Sequence, residues 1–287
     1  MEFTKLCDAG LVLEGGGMRG SYTAGVLDFF IDNNIYFKNC YGVSAGACNC
    51  CSYLSKQRGR SYTINVKYAN KKEYAGISSY LRTGNYFNYE YTMNKLPNKI
   101  LPFDYLEYNR TNANFYAVAT DLETGKPEYF KVEDMKKDIR YVWASSSLPL
   151  MAKKVEINGK EYLDGGVADS IPVEKAYSDG NEKVVVVLTR DIRYRKKPST
   201  LMPILKLIYR KYPKFVEAME KRYVNYNRSL KYIKRKEEKG EIFVIRPSKE
   251  ITVGRLDTDS AKLKALYEQG YQDAMKSYKR MKDYLDL

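Results

Sequence analysis

Residues 39–54 read NCYGVSAGACNCCSYL, with the motif G-x-S-x-G from Gly42 to Gly46. The residues before Ser44 predict a strand, and the small residues after it predict a buried helix, Ala45 to Leu54. A nucleophile at the tip of a strand–turn–helix elbow needs small residues two positions away on either side, because larger ones would clash in so sharp a turn. We therefore predict that Ser44 is a nucleophile pointing out of the sheet, at the N-terminus of the next helix, although an ordinary serine in a glycine turn gives the same motif.

A second glycine-rich segment follows the predicted strand Gly10 to Leu13 and reads GGGMRG over residues 15–20. The backbone N–H groups of a glycine loop can approach an anion closely, because no side chain intervenes. The segment therefore predicts an oxyanion hole, in which Arg19 fixes the loop or its anion. The loop residues concerned are Gly15, Gly16 and Gly17.

The same segment also matches G-x-G-x-x-G, the fingerprint of dinucleotide-binding folds. That interpretation requires an acidic residue at the end of the second strand, about 20 residues further on. Asp32 lies near that distance but ends a predicted helix, and the second strand ends in Val43 and Ser44. The sequence therefore favours an oxyanion hole over a pyrophosphate site.

The composition restricts the choice of a general base. The chain of 287 residues contains no histidine, which removes the usual base for a serine nucleophile and the commonest metal ligand. Asp164 is followed by Gly165 and Gly166, directly after a hairpin predicted at 154–163. Asp-Gly-Gly turns are common, but a carboxylate could replace the missing histidine if a dry setting raised its pKa or if proton transfer followed carbonyl attack.

Predicted strands alternate with helices along the chain. This pattern indicates an α/β fold with a mostly parallel central sheet flanked by helices, in three layers. We expect residues 8–190 to form the catalytic domain and residues 191–287 to form a basic, mainly helical C-terminal extension packed on the core. Residues 56–102 lack periodicity and are expected to form one wall of a cleft.

The net charge of +14 is concentrated in residues 190–239, which contain 17 basic and 5 acidic residues. An apolar stripe runs through this stretch from Leu201 to Ile233. Two interpretations remain open: a helical cover with solvated charges, or a basic amphipathic segment that contacts an anionic membrane surface peripherally. Nucleic acid binding is not expected, because no recognised motif accompanies the charge.

The remaining features restrict cofactors and location. The five cysteines contain no C-x-x-C and, without histidine, favour reduced buried thiols over a metal site. Residues 1–10 are a poor match to a signal peptide, and no apolar run approaches the roughly 18 residues of a membrane-spanning helix. We therefore expect a cytoplasmic protein without a metal; the sequence does not indicate its oligomeric state.

Three motifs in this order resemble the patatin-like phospholipase family: GGGMRG at 15–20, GVSAG at 42–46 and DGG at 164–166. DLETG at 121–125 and ASSSLP at 144–149 add to a likeness that covers about residues 10–188. The resemblance implies a patatin-like fold, a Ser44–Asp164 dyad, and an oxyanion loop made of Gly15, Gly16, Gly17 and Arg19. It further implies release of fatty acids from glycerolipids without metal or cofactor.

The predicted function is therefore that of a serine lipid acyl hydrolase, of the phospholipase A or esterase type. Two alternatives remain open. A thioesterase or transacylase would use the same dyad with another leaving group or acceptor. A lipid- or partner-binding module would keep the fold without turnover.

Overall fold

The computed structural model describes residues 5–287; the first four residues, part of the stretch assessed as a signal peptide, lie outside it. The described strands are β1 (Cys7–Leu13), β2 (Phe37–Val43), β3 (Asn114–Asp121), β4 (Pro127–Lys131), β5 (Val155–Ile157), β6 (Lys160–Asp164), β7 (Val184–Val187) and β8 (Phe243–Ile245). The α-helices are α1 (Gly20–Asp32), α2 (Ala45–Leu54), α3 (Arg60–Thr63), α4 (Ile77–Thr83), α5 (Tyr105–Asn109), α6 (Met135–Ser146), α7 (Val173–Ser178), α8 (Met202–Ile208), α9 (Pro213–Glu238) and α10 (Ser260–Leu285). A 3₁₀ turn spans Gly17–Arg19, and π-helical segments span Ile64–Tyr68 and Glu90–Ile100.

The strands form one sheet in the order β5-β6-β3-β2-β1-β7-β8, with β4 also paired to β3. Five strands run parallel, in the spatial order β3, β2, β1, β7 and β8, and β4, β5 and β6 add an antiparallel edge. The prediction of a mostly parallel α/β sheet is therefore confirmed. The carboxyl ends of parallel strands meet at one edge of such a sheet, where ligands usually bind.

Helices cover both faces of the sheet, because successive side chains of a strand point to opposite sides. Leu11 and Leu13 of β1 pack into the layer formed mainly by α1, α2 and α10. Val12 packs into the opposite layer, against Val173 of α7 and Tyr226 of α9. The central strands therefore bury both faces, as a three-layer architecture requires.

The C-terminal region is joined to the sheet and to the helical layer. Strand β8 pairs in parallel with β7. Helix α10 lies backbone to backbone against α1: a Cβ on Gly25 would be 2.0 Å from the carbonyl oxygen of Tyr267, and one on Gly270 would be 2.0 Å from that of Tyr22. Only glycine permits so close an approach. The Tyr22 hydroxyl adds a hydrogen bond to Asp273, at 3.1 Å.

Two elements near the site were not recognised from the sequence pattern. Strand β4 begins with a proline, which suits an edge strand that needs no donor at that position. Helix α6 is capped by Asp134, whose carboxylate accepts from the Lys136 N–H at 2.9 Å. No helix among residues 5–287 combines the length and hydropathy needed to span a membrane.

Candidate active site

Ser44 lies at the junction of β2 and α2, with φ of 55° and ψ of −122°. A residue with a side chain rarely adopts this conformation, and the strain is typical of a nucleophile held on a sharp turn. The Ser44 side chain is almost buried, and its backbone N–H donates to Ser145 Oγ at 2.9 Å. Because Ser145 lies on α6, a third element holds the turn in place.

The two glycines of the elbow pack too tightly to be replaced. A Cβ on Gly42 would lie 2.6 Å from the Cα of Ala47, and a Cβ on Gly46 would lie 2.5 Å from the carbonyl oxygen of Leu13. Real Cβ atoms do not approach backbone atoms so closely. Gly42 and Gly46 therefore permit the turn, as the sequence predicts for an elbow, without lining the cavity themselves.

Asp164 is the last residue of β6 and is only 1% exposed. Its Oδ1 accepts from the Gly166 N–H at 2.8 Å, and its backbone N–H donates to the Ser147 carbonyl at 2.8 Å. Its Oδ2 is buried and has no hydrogen-bond partner among residues 5–287. Ser44 and Asp164 line the same cavity, so this oxygen is available to accept a proton there.

The glycine loop lies directly beside Ser44. A Cβ on Gly15 would be 3.1 Å from the Ser44 Cβ, and Gly17 has a left-handed φ of 58°. The Met18 N–H is occupied, because it donates to the Arg255 carbonyl at 3.0 Å. The N–H groups of Gly15, Gly16 and Gly17 make no hydrogen bond within the described residues. They are therefore the loop donors that remain available for an oxyanion.

Arg19 lies under the loop with its side chain buried. Burial and then the neighbouring charge of Arg190 lower the pKa of Arg19 to about 10, so that its guanidinium remains charged at neutral pH. The Nε of Arg19 has no hydrogen-bond partner in the described chain. The structure thus brings Ser44, Asp164, the three glycines and Arg19 to one cavity.

Ser44 also borders a second, mainly apolar cavity. Aromatic and thioether side chains line it, and the Tyr89 and Trp143 rings stack with their centroids 3.7 Å apart. Several of these side chains come from residues 56–102, the segment expected to form a cleft wall. Ser44 therefore lies between a polar, charged cavity and an apolar one.

Several residues at the site were missed by sequence reasoning. Ser145 belongs to the ASSSLP segment, which added to the family resemblance without indicating a role for this serine. Glu14 is buried, and its carboxylate accepts from the Thr189 N–H at 2.6 Å and the Tyr226 hydroxyl at 2.7 Å. No local signal marks these contacts, because Tyr226 is 212 residues away from Glu14 in the chain.

Lys196 is the most perturbed base at the polar cavity. Burial, and then the charges of Arg222 and Arg255, lower the pKa of Lys196 to about 7. Glu14 opposes this shift and Arg19 adds to it. Most of this basic lining comes from residues beyond 188, where the sequence motifs end.

The cysteines lie away from the polar cavity and are free thiols. Cys48 borders the apolar cavity, and burial raises the pKa of its thiol to about 11, so it is neutral at physiological pH. Among residues 5–287, no three acidic, cysteine or histidine side chains are grouped as a metal site would require.

Comparison with known proteins places these features in a family. The model of the patatin-like phospholipase family matches residues 11–177, and a domain of unknown function, DUF6363, matches residues 212–286. The uncharacterised protein YjjU of Escherichia coli is 29% identical over 230 residues, which are 72% of this chain and 64% of YjjU.

More distant similarities involve longer proteins. The lysophospholipase NTE1 of Yarrowia lipolytica is 27% identical over 192 residues, 62% of this chain but 12% of that protein. The crystal structure of VipD from Legionella pneumophila aligns with 97% of this chain and 66% of its own, at 13% identity and a TM-score of 0.43. The chain thus spans less than two thirds of the curated relatives it matches. The match to residues 11–177 covers more than half of the chain, which belongs to the patatin-like phospholipase family.

Proposed function

We propose that the protein is a serine lipid acyl hydrolase that cleaves acyl esters of glycerolipids with a Ser44–Asp164 dyad. The observation that carries this proposal is the shared cavity: a strained Ser44, the free Oδ2 of Asp164, and the unoccupied N–H groups of the glycine loop all line it. Residues 8–190 contain all of these groups and are proposed as the catalytic domain.

The proposed reaction has two steps. Ser44 Oγ attacks the acyl carbonyl carbon while Asp164 Oδ2 takes its proton, and the loop N–H groups hold the oxyanion. Asp164 then protonates the leaving alcohol, which departs and leaves an acyl-Ser44 ester. Water, deprotonated by Asp164, attacks this ester and releases the fatty acid and the free serine.

The apolar cavity supports an acyl substrate. It begins at Ser44 and is lined by Tyr74, Phe87, Tyr89, Met93, Trp143 and Met151. Each methylene buried there contributes about 0.8 kcal/mol. A fatty acyl chain in this cavity would extend from the carbonyl at Ser44 toward the aromatic wall.

Hydrolysis assays with matched variants test the proposal. Wild type, Ser44→Ala and Asp164→Asn are compared on a short-chain p-nitrophenyl ester and on phospholipid vesicles. Ser277→Ala and Asp283→Asn are the controls, since both residues lie on α10 away from the cavity. We expect both dyad variants to lose at least about 10³-fold in kcat, and both controls to retain wild-type rates.

The same assays separate the alternatives. Full esterase activity in folded Ser44→Ala would contradict the dyad. Activity on the small ester but not on vesicles would keep the dyad and favour a thioesterase or transacylase, which acyl thioester and acceptor alcohol substrates would then distinguish. Absence of turnover on every substrate would favour a binding module.

We further propose that α8 contacts an anionic membrane surface. The apolar stripe predicted from the sequence divides in the structure: Phe215, Met219 and Ile233 of α9 are buried, whereas Leu207 of α8 is 67% exposed. The other exposed apolar residues at α8 are Leu201, Ile204 and Ile208. Exposed lysine and arginine residues flank them at positions 206, 210 and 211, as in a basic interfacial segment.

Helix α4 extends this surface. Leu81 is 80% exposed, and Ile77 on the same helix is also exposed. Residues 150 and 151 connect the two regions: the Leu150 N–H donates to the hydroxyl of Tyr209, the residue after α8, at 3.0 Å. The Tyr86 N–H, shortly after α4, donates to the Met151 carbonyl at 2.7 Å.

Sedimentation with vesicles tests this contact. An Ile204→Ser/Leu207→Ser double variant should bind anionic vesicles at least about tenfold more weakly than wild type, because two apolar side chains no longer enter the interface. Val224→Ser is the control, since it removes an exposed apolar side chain from α9. Equal binding of wild type to anionic and neutral vesicles, or unchanged binding of the double variant, would contradict the proposal.

A further inference from the structure

Five basic side chains surround the polar cavity beside the dyad: Arg19, Arg190, Lys196, Arg222 and Arg255, here termed the basic pocket. Four of them lie beyond residue 177, where the patatin-like match ends. Arg222 and Arg255 belong to the segment matched by the domain of unknown function. The C-terminal region therefore supplies most of the charge at a site whose dyad comes from the N-terminal region.

The basic pocket lacks compensating negative charge. The carboxylates that line the same cavity are Glu14 and Asp164. Glu14 accepts hydrogen bonds from Thr189 and Tyr226, and none of the five cations forms an ion pair with a carboxylate of the described chain. Five basic groups thus face two carboxylates in this cavity. Such an arrangement is stabilised by an anion.

Buried donors in the basic pocket also lack acceptors. The Nε atoms of Arg19, Arg190 and Arg222 are buried without a hydrogen-bond partner among residues 5–287. Buried donors are rarely left unsatisfied unless a ligand or water completes them. Guanidinium groups match phosphate oxygens in shape as well as charge.

Aromatic rings hold two of the cations in place. The Arg190 guanidinium lies 4.4 Å from the centroid of the Tyr194 ring, and Lys196 Nζ lies 4.4 Å from that of Tyr226. Tyr226 is itself fixed by its hydrogen bond to Glu14. The cations are therefore oriented by rings rather than neutralised by carboxylates, which leaves their charge for a ligand.

We propose that the basic pocket binds the phosphate of the lipid head group, so that the substrates are acyl glycerolipids with an anionic phosphate head. This proposal rests on the proposed acyl hydrolase function. The two cavities that meet at Ser44 would then divide an amphiphilic substrate between them. The acyl chain would lie along the aromatic wall, and the phosphate would lie among the C-terminal cations.

The space beyond the pocket suits a head group. A further cavity of about 800 Å³ shares Lys196, Arg222 and Arg255 with the basic pocket and continues past Arg193 and Lys197. A substituent on the phosphate could extend into it. The walls there are again basic, which favours uncharged or anionic substituents over cationic ones.

Arg222 requires separate treatment in a test, because its charge also acts on Asp164. Burial, and then the charge of Arg255, lower the pKa of Arg222 to about 10, and the Asp164 carboxylate opposes this shift. A change at Arg222 could therefore alter the base as well as substrate binding. Loss of base function would lower turnover of all substrates equally, whereas loss of phosphate binding would lower only that of phosphate-bearing ones.

The experiment compares two substrates that differ only in the phosphate. The kcat/KM of a 1-acyl lysophosphatidate and of the monoacylglycerol with the same chain is measured in detergent micelles. Arg255→Gln and Arg222→Gln are compared with wild type, and Arg235→Gln is the control because it removes an exposed arginine from α9. We expect wild type to prefer the phosphate-bearing lipid, and each pocket variant to lose about tenfold of that preference, the value of one charged hydrogen bond. The control should keep the preference.

A binding measurement separates failure of this inference from failure of the proposed function. Glycerol 3-phosphate and inorganic phosphate are titrated calorimetrically into Ser44→Ala, with and without Arg255→Gln. Binding of glycerol phosphate that weakens on Arg255→Gln supports the head-group pocket even if no lipid is hydrolysed. Absence of binding, or lipid hydrolysis without preference for the phosphate, would overturn it. Equal binding of inorganic phosphate without any lipid preference would also overturn it, because the site would then serve the free ion.

Discussion

Replacing Gly25 by alanine tests how the C-terminal region is joined to the N-terminal region. The new Cβ would lie 2.0 Å from the Tyr267 carbonyl oxygen and 2.8 Å from the Tyr271 N. Carbon–oxygen contacts normally begin near about 3.3 Å, so α1 and α10 would have to separate by roughly 1 Å. That movement would strain the Tyr22–Asp273 hydrogen bond across the same interface, now 3.1 Å.

The expected cost follows from three contributions. Overpacking costs about 1–3 kcal/mol, and a weakened hydrogen bond to a buried carboxylate costs about 1.5–3 kcal/mol. The higher helix propensity of alanine offsets about 1 kcal/mol. The free energy of unfolding should therefore fall by about 1.5–5 kcal/mol, which corresponds to a Tm lower by roughly 2–8 °C for a chain of this size.

Thermal unfolding followed by circular dichroism measures this change. Gly254→Ala is the control, because the space around a Cβ there is open to 4.0 Å. Esterase activity is recorded alongside, since α10 begins five residues after Arg255, whose carbonyl binds the glycine loop. A Gly25→Ala protein with the Tm of the control would refute the close contact between the two helices.

Two further predictions concern the site. Ser145→Ala removes the acceptor of the Ser44 N–H and leaves this buried donor unsatisfied. The variant should therefore lose about 1–3 kcal/mol of stability and have a lower kcat for the p-nitrophenyl ester. Unchanged kcat and Tm, as expected for the control Ser277→Ala, would contradict a role of Ser145 in holding the turn. Lys196 has a pKa lowered to about 7 by burial and by Arg222 and Arg255, so in the empty pocket it loses its proton as the pH rises through 7. A bound phosphodiester would raise that pKa again, so binding at pH 8 should be accompanied by proton uptake. Calorimetry of glycerophosphoglycerol in buffers of different ionisation enthalpy measures this uptake, which should be absent near pH 5.5 and in Lys196→Gln. Binding heats at pH 8 that do not depend on the buffer would contradict the prediction.

The sheet and the elbow could be predicted because local sequence determines them. Strand β2 and helix α2 follow from the short segment before Ser44 and the small residues after it. The need for Gly42 and Gly46 is set by atoms only a few residues away or on the adjacent strand. The family could be recognised from the sequence as well, because the three motifs occur in a characteristic order. The helical character of the C-terminal extension could also be predicted, because apolar residues recur there at helical spacing, as in α10.

The basic pocket could not be predicted, because no pattern in the chain connects its members. Arg19 and Arg255 are far apart in the sequence. In the sequence pattern, Arg222 could not be distinguished from the other basic residues beside the apolar stripe. The difference between α8 and α9 was equally hidden, because both carry apolar residues at helical spacing. Helix α8 buries Leu205 but exposes most of its other apolar side chains, whereas Phe215, Met219 and Ile233 of α9 are buried. Periodicity predicts an apolar face and does not say what covers it.

The central claim is that Ser44 is the nucleophile and Asp164 its base. The most direct measurement is labelling with a fluorophosphonate probe, followed by mass spectrometry to locate the adduct and by the rate of labelling at neutral pH. We predict a single adduct on the Ser44 peptide in wild type, none in Ser44→Ala, and labelling slowed by about 10³-fold in Asp164→Asn. An adduct on another residue, or wild-type labelling of Asp164→Asn, would contradict the dyad.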